Sequence, residues 1–421
     1  MTPSPRLRIL PPNVLVEEER VPGYRPEFFY PADPGKVLNN RYKILTKIGW
    51  GTSSTVWLAE DLERLPFQYV TLKITTSNPN FGGMVLHELD INKRLTKDPS
   101  LTGFAFVRAA IDDFIATSPI GATHLCLVFE AMREPLSQFQ HRLVGDSIPP
   151  QLLKVYVDFM LQGLEYLISI ARLSILVYLK ADNILMSFED LSVIEEYVKA
   201  QGNQPMPRKT ASDRNIYLSH NDFGTLKSYW MLPKIVDFGL AHQGDGGEPL
   251  RHPIQPPLYH APEVLLGVPW SYSADIWNLD VLRDGLAAFE LLENKELFVN
   301  LKSQNGVYTA QAHLAEMIAL LGPPPRKLID QERHWRDIPW KRSFPGPDGA
   351  WCYTAHAYYG YFNRPEIIPK RVKLDGCIAC MSGEEKALFL SFVRRMLQWL
   401  PEDRKTAKEL REDPWLQSGL Y

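Results

Sequence analysis

Cysteine is scarce in this chain. Its 421 residues include four: Cys126, Cys352, Cys377 and Cys380. That is too few for a fold stapled by disulfides. The pair in "CIAC" (377–380) has metal-ligand or redox spacing, but no second CxxC or HxxxH completes a zinc set. Reduced cytosolic thiols are the expectation. A long apolar run is missing as well. The opening "MTPSPRLRILPPNVLVEEER" lacks the apolar core of a signal peptide. The most apolar stretch, "LQGLEYLISIARLSILVYL" (161–179), is interrupted by Gln162, Glu165 and Arg172. It predicts a buried helix followed by a strand rather than a membrane span. An excess of one charge is also absent. The net charge is −3, so no bulk electrostatic attraction to nucleic acid is expected. These absences predict an intracellular protein, cytoplasmic or nuclear, with no membrane or direct nucleic-acid partner. Nothing signals an oligomer, and a monomer is expected.

What is present is a globular balance, 45% hydrophobic and 23% charged residues. The length suits one large domain or two ordinary ones. Residues 1–41 are polar and proline-rich and predict an extended arm, pinned to a surface by Tyr24, Phe28, Phe29 and Tyr30. Residues 42–131 are β-rich. "YKILTKI", "STVWLAED", "YVTLKIT" and "THLCLVFEAM" read as strands of a five-stranded lobe. "GMVLHELDINKRL" has the helical spacing of Val85, Leu89, Asn92 and Leu95, with Asn92 the one polar break. From residue 132 the pattern turns helical. "PPQLLKVYVDFMLQGLEYLISIA", "SADIWNLDVLRDGLAAFELL", "EEKALFLSFVRRMLQWL" and "TAKELREDPWLQ" each read as one helix. Residues 187–232 become polar and irregular after "VIEEYVKAQ" and read as an insertion. The expected division is an arm at 1–41, an N-lobe at 42–131 and a C-lobe at 132–417 that carries the insertion.

Seven short motifs follow one another. "IGWGTSSTVWL" (48–58) sets Gly49 and Gly51 in a strand-turn-strand, where a bare backbone can approach phosphates. Lys73 sits on the apolar strand "VTLKI" and needs a partner, which Glu88 on the following helix can supply. "KADN" carries Lys180 and Asn183, and "IVDFGLA" carries Asp237. An asparagine and an aspartate are the pair that holds Mg²⁺ against phosphates in phosphoryl transfer. "APEVLLG" has Glu263, "ADIWNL" has Asp275, and "RKTAKEL" begins with Arg404. A buried Glu263–Arg404 pair and a buried Asp275 holding backbone N–H groups of the catalytic loop are structural expectations. Alone, each motif has a plain reading: a glycine hairpin, a surface lysine, a chance turn. Their order matches the phosphoryl-transfer template.

On these residues the chain resembles the eukaryotic protein kinases over roughly 42–417, and within them the SR-protein kinases, especially short fungal relatives. "GWGTSSTVWLAEDL", "HLCLVFEAM", "LKADNIL", "ADIWNLDVL" and the lead-in "PGYRPEFFYPADPGKVLNNRY" carry the likeness. Ser54 in place of a third glycine is a trait of that family. So is an insertion before Asp-Phe-Gly, and here Asn183 and Asp237 lie 54 positions apart. The resemblance implies an α+β, bilobal kinase fold with a β-rich N-lobe and a mainly helical C-lobe. It implies ATP- and Mg²⁺-dependent transfer to serine or threonine hydroxyls, often of Arg/Ser-rich proteins of RNA processing. Nucleotide contacts would come from Gly49, Gly51, Ser54 and Val56, and from Lys73, oriented by Glu88. Backbone groups of Glu130 and Met132 would meet the adenine. Lys180 would contact the γ-phosphate, and Asn183 and Asp237 would hold Mg²⁺.

The chain departs from the family where the catalytic base belongs. The family reads His-Thr-Asp before "LKADNIL"; this chain reads Leu176-Val177-Tyr178, and no aspartate lies between Asp158 and Asp182. A phenol with a reference pKa near 10 is about one-thousandth ionised at pH 7, and its oxygen sits farther from the backbone than a carboxylate. Tyr178 is therefore a poor base, and packing is its expected role. Three readings stay open: a low-activity serine/threonine kinase, a pseudokinase that binds nucleotide and docks partners, or a mistranslated intron across 168–178. Asn92 and Asp280 stand where the family tends to have an apolar residue and a glycine, and a surface position would tolerate either. Between Asp237 and Glu263 the only hydroxyl is Tyr259, and Val177 replaces the arginine that reads a phosphorylated loop. No phosphorylation switch is expected there.

Overall fold

The computed structural model describes residues 8–418, except 65, 97, 172, 175–178, 212–213, 244–248, 253, 282–297, 299, 303–305, 307, 337, 339–343, 346–350, 353–366 and 371–373. The chain divides into two compact units. One comprises Met1–Thr96, Arg108–Glu134 and Met186–Met231; the other comprises Lys97–Val107, Pro135–Leu185 and Leu232–Tyr421.

The first unit is built on a six-stranded antiparallel sheet. Its strands are β1 (Val37–Leu38), β2 (Tyr42–Gly51), β3 (Ser54–Asp61), β4 (Tyr69–Thr75), β5 (Asp112–Thr117) and β6 (Thr123–Glu130), in the order β1-β2-β3-β4-β6-β5. Five strands were expected; the sixth, β1, comes from the arm. The two-residue period of a strand sorts the side chains. Cys126 and Val128 join a core with Tyr42, Ile44, Trp57, Val70 and Leu72. Leu125, Leu127 and Phe129 face the other way and meet Val85 and Leu89 of helix α1 (Gly82–Leu95).

The insertion is more regular than its polarity suggests. It forms a helix, Leu191–Asn203, and an antiparallel hairpin of Arg208–Ala211 with Arg214–Tyr217. The sequence boundaries assign it to the C-lobe, whereas residues 186–231 group with the β-sheet unit. The reason is burial. Val193, Ile194 and Tyr197 cover Leu58, with Leu45 and Ile48 beside them, and Met206 and Tyr217 enter the sheet's main core. The arm is held between insertion and sheet. Phe29 and Tyr30 are buried, while Tyr24 and Phe28 are half-exposed. Lys47 of β2 is fully buried, its ammonium 2.8 Å from Glu17, 2.5 Å from Glu18 and 2.9 Å from the Tyr217 carbonyl. Lys209 meets Glu19 at 2.7 Å, and Tyr217 donates to Asp33 at 2.7 Å.

The second unit is mainly helical. Its long helix, Pro150–Ala171, buries Leu153, Tyr156, Val157, Met160, Leu161, Leu164 and Leu167, the face set by 3.6-residue periodicity. A short strand, Leu173–Ser174, follows and pairs with His242–Gln243. Gly103 lies against this helix so closely that a Cβ there would come within 2.3 Å of the Gln162 carbonyl oxygen. Helix Gly383–Met396 packs Phe389 and Phe392 on Trp415. "TAKELREDPWLQ" forms two helices instead of one, Ala407–Arg411 and Pro414–Gln417. Pro414 lacks the N–H that would continue the first, and Asp413 caps the second. Of "SADIWNLDVLRDGLAAFELL", the helix Ser273–Val281 is described, and 282–290 lie outside the described residues.

Candidate functional site

Strand register assembles the first part of the site. Gly49 pairs with Val56, Val56 with Lys73, and Lys73 with Leu127, so the glycine-rich hairpin and the lysine share one row across the sheet. Ser54 is buried and pairs with both Gly51 and Thr75. Neither Gly49 nor Gly51 has a left-handed backbone, and a Cβ at either would find its nearest neighbour at 3.7 Å. The hairpin itself therefore does not demand glycine. What glycine supplies is open backbone for something to approach.

Lys73 Nζ lies 2.5 Å from Glu88 Oε1, and Glu88 is buried. The structure thus brings together the two residues that sequence spacing had suggested. Asn92 is not the tolerated surface residue expected from the sequence; it is buried. Its amide nitrogen donates to the Glu88 carbonyl at 2.9 Å, and its side-chain oxygen accepts from the Ala110 N–H at 2.9 Å. A polar side chain is stable there because both ends are bonded.

Glu130 ends β6, and the buried Met132 follows it. Two arginines that bond to this stretch were not singled out from the sequence. Arg108 donates to the Glu130 carbonyl from Nε at 3.0 Å and from Nη2 at 2.6 Å, and its guanidinium lies 4.9 Å from the centre of the Phe129 ring. Arg133 is buried and bonds Glu134 at 2.9 Å, Glu189 at 2.8 Å and the Gly224 carbonyl at 2.6 Å, tying both ends of the insertion to this segment. The available signal was a charge inside an apolar run, "FAFVRAAI", which must find a partner.

In the second unit, Lys180 leads into a single turn, Ala181–Asn183. Lys180 Nζ lies 3.2 Å from Asp182, which also accepts from Ser137 at 2.7 Å. Asn183 is buried, and its backbone carbonyl accepts from Val236 N–H at 3.0 Å, which sets it beside the chain leading to Asp237. Asp237 is exposed, with φ of 65°, a left-handed backbone that aspartate tolerates better than most residues. Phe238 beside it is buried. The amide oxygen of Asn183 and the carboxylate of Asp237 are hard donors of the type Mg²⁺ takes, so this donor set fits that ion. Tyr178 and Val177 lie outside the described residues.

The structural motifs also find partners. Glu263 and Arg404 form a two-pronged pair at 2.5 and 2.6 Å, both side chains fully buried. Arg404 further donates to the Ser273 carbonyl and lies 5.0 Å from the centre of the Trp277 ring. Asp275 is buried, and burial pushes its carboxyl well above the usual range. The loop residues it was expected to hold, 175–178, are outside the described set. Tyr259 is buried. Among the described residues no group of three or more His, Cys, Asp or Glu could hold a metal, and no helix is long and apolar enough to cross a membrane.

The model of the protein kinase domain matches residues 42–416. A serine/threonine protein kinase of Aspergillus fumigatus is 35% identical over 97% of this chain and 92% of its own length. Serine/threonine-protein kinase SRPK of Physarum polycephalum is 27% identical, over 95% of this chain and 91% of that protein. SRSF protein kinase 3 of Mus musculus is 31% identical, over 50% of this chain and 38% of its own.

Proposed function

The chain belongs to the protein kinase family, and from that premise we propose that it is an SR-protein-kinase-like nucleotide-binding protein whose phosphoryl transfer is impaired at Tyr178. The observation that carries the nucleotide half is the Lys73–Glu88 pair at 2.5 Å, in register with Gly49 and Val56. The observation that carries the impairment is the residue at 178, where the family has aspartate.

Gly49, Gly51, Ser54 and Val56 would line the triphosphate with backbone N–H groups and a short apolar wall. Lys73 would contact the α- and β-phosphates, with Glu88 fixing its ammonium. Backbone groups of Glu130 and Met132 would bind the base. Lys180 would meet the γ-phosphate, and Asn183 and Asp237 would hold Mg²⁺. Bound Mg²⁺·ATP would supply the transferable phosphoryl group and offset its charge. The acceptor would be a serine or threonine hydroxyl of an Arg/Ser-rich protein of RNA processing. Such a substrate would be met in the cytoplasm or nucleus, by a monomer.

Tyr178 sets the rate. A neutral phenol does not draw off the acceptor's proton as a carboxylate does. General acid–base catalysis contributes about 10²–10⁴-fold, and kinases turn over at about 1–100 s⁻¹. Transfer would therefore run at roughly 10⁻⁴–1 s⁻¹. At the lower end the protein acts as a pseudokinase, a nucleotide-binding interaction module, and Tyr178 is what favours that second reading.

The test pairs thermal stabilisation by Mg²⁺·ATP with radiolabelled transfer to an Arg/Ser-repeat peptide, for wild type, Tyr178→Asp and Lys73→Met. The expected result is binding by wild type and Tyr178→Asp, loss of binding in Lys73→Met, and transfer raised about 10²–10⁴-fold by Tyr178→Asp. Wild-type transfer equal to that of Tyr178→Asp would show that the aspartate is bypassed. Absence of Mg²⁺·ATP binding in wild type and Tyr178→Asp alike would remove the nucleotide reading.

A further inference from the structure

The Glu130 carbonyl is the backbone acceptor assigned above to the nucleotide base, yet it already has a donor. Arg108 reaches it twice, from Nε at 3.0 Å and Nη2 at 2.6 Å. A carbonyl oxygen has two lone pairs, and a forked guanidinium can engage both. The same guanidinium lies 4.9 Å from the centre of the Phe129 ring, the residue just before Glu130. Phe129 is itself buried against Val85, Leu125 and Leu127, so the ring under the arginine is held in place. Arg108 is half-buried and remains cationic at neutral pH, although burial draws its pKa down to about 10. Its third nitrogen, Nη1, forms no hydrogen bond among the described residues.

We propose that Arg108 sets the purine selectivity of this site. By covering the Glu130 carbonyl it takes away the acceptor that a 6-amino group needs, and it presents an N–H donor that a 6-oxo group can use. The site therefore takes 6-oxopurine triphosphates as well as it takes ATP. This inference rests on the assignment of the Glu130 backbone to the base. The chemistry is an exchange of hydrogen-bond partners. At C6, adenine's exocyclic nitrogen is a donor and finds another donor facing it, whereas the O6 of hypoxanthine is an acceptor and finds its complement. At N1 the order reverses, because the Met132 backbone N–H would suit adenine's N1 acceptor and oppose hypoxanthine's N1–H, so each base keeps one partner and loses one. A mismatched buried donor loses its bond and is desolvated as well, so selectivity responds more than one hydrogen bond's net worth would suggest.

The experiment measures Mg²⁺·ATP and Mg²⁺·ITP affinities by calorimetry on the full chain, for wild type, Arg108→Val, Arg108→Met and Lys73→Met. Thermal unfolding checks each variant's fold. Arg108→Met keeps a long apolar stem over Phe129 and is the safeguard if the valine variant fails to fold. The expected result is a wild type that binds the two nucleotides within about threefold, and an Arg108 variant that binds ATP about tenfold tighter with no gain for ITP. A wild type that already prefers ATP by tenfold overturns the proposal, as does an arginine variant that shifts both nucleotides alike. If Lys73→Met loses binding while the Arg108 variants match wild type, the selectivity proposal falls and the nucleotide site stands. If no variant binds either nucleotide, both fall.

Discussion

The side-chain oxygen of Asn92 accepts a 2.9 Å hydrogen bond from the backbone N–H of Ala110, while its amide nitrogen donates back to the Glu88 carbonyl. One side chain thereby joins the helix that carries Glu88 to the chain leading into β5. Replacing Asn92 with Ala strands the Ala110 N–H in a half-buried setting. The expected loss is about 1–3 kcal/mol, seen as a lower midpoint of thermal unfolding. Stabilisation by Mg²⁺·ATP should weaken too, because Glu88 loses its fixed position. An Asn92→Ala protein that melts and binds nucleotide like wild type would show that the bond has no such role.

The Glu263–Arg404 pair makes a second prediction. Both side chains are fully buried, and Arg404 also bonds the Ser273 carbonyl. Arg404→Met leaves the Glu263 carboxylate buried without its cation, at a cost of about 3–5 kcal/mol. The double variant Glu263→Gln/Arg404→Met removes the stranded charge and should regain part of that loss. Unfolding of the three proteins under one set of conditions is the measurement. A double variant less stable than Arg404→Met would contradict the explanation through an unpaired charge.

A third prediction concerns acid. Burial lowers the pKa of His252 to about 2, of His260 to about 4 and of His313 to about 3. For His252 the neighbouring His242 adds to the effect, with Nε2 atoms 3.1 Å apart. All three are neutral in the folded protein, whereas the unfolded chain protonates them near pH 6.5. Below that pH the unfolded state binds more protons, so stability falls as pH falls. Their contribution is complete above about pH 6.5 and is lost at about 1.4 kcal/mol per histidine per pH unit below it. Melting midpoints should drop between pH 7.5 and 5.5. His313→Asn should flatten that profile. A midpoint independent of pH over this window would be incompatible with three buried neutral histidines.

Local chemistry made much of this protein readable in advance. The alternation of "YKILTKI" and "YVTLKIT" placed β2 and β4, and the helical spacing around Glu88 placed α1. Gly49, Gly51, Lys73, Glu88, Asn183, Asp237, Glu263 and Arg404 could be singled out because they stand in the order of the kinase template. That residue 178 is tyrosine and not aspartate is likewise a property of the sequence alone.

Partner choice was not readable in the same way. Periodicity says which face of an element is buried, but not which distant residue will meet it. Lys47 looked like any strand lysine until the fold enclosed it with Glu17, Glu18 and the insertion's Tyr217, 170 residues away. The insertion's polarity concealed a helix and a hairpin, because its few apolar residues are the ones the sheet buries. Asn92 broke an apolar stripe, and only the approach of Ala110 turned that break into a bond. Arg108 acquired significance from strand geometry that brings it to the Glu130 carbonyl. The sequence by itself determined which chemical groups this protein owns and which one it lacks. Tertiary structure decided which of them are buried together, because desolvation forces each enclosed charge and amide to take the partner that folding brings within reach.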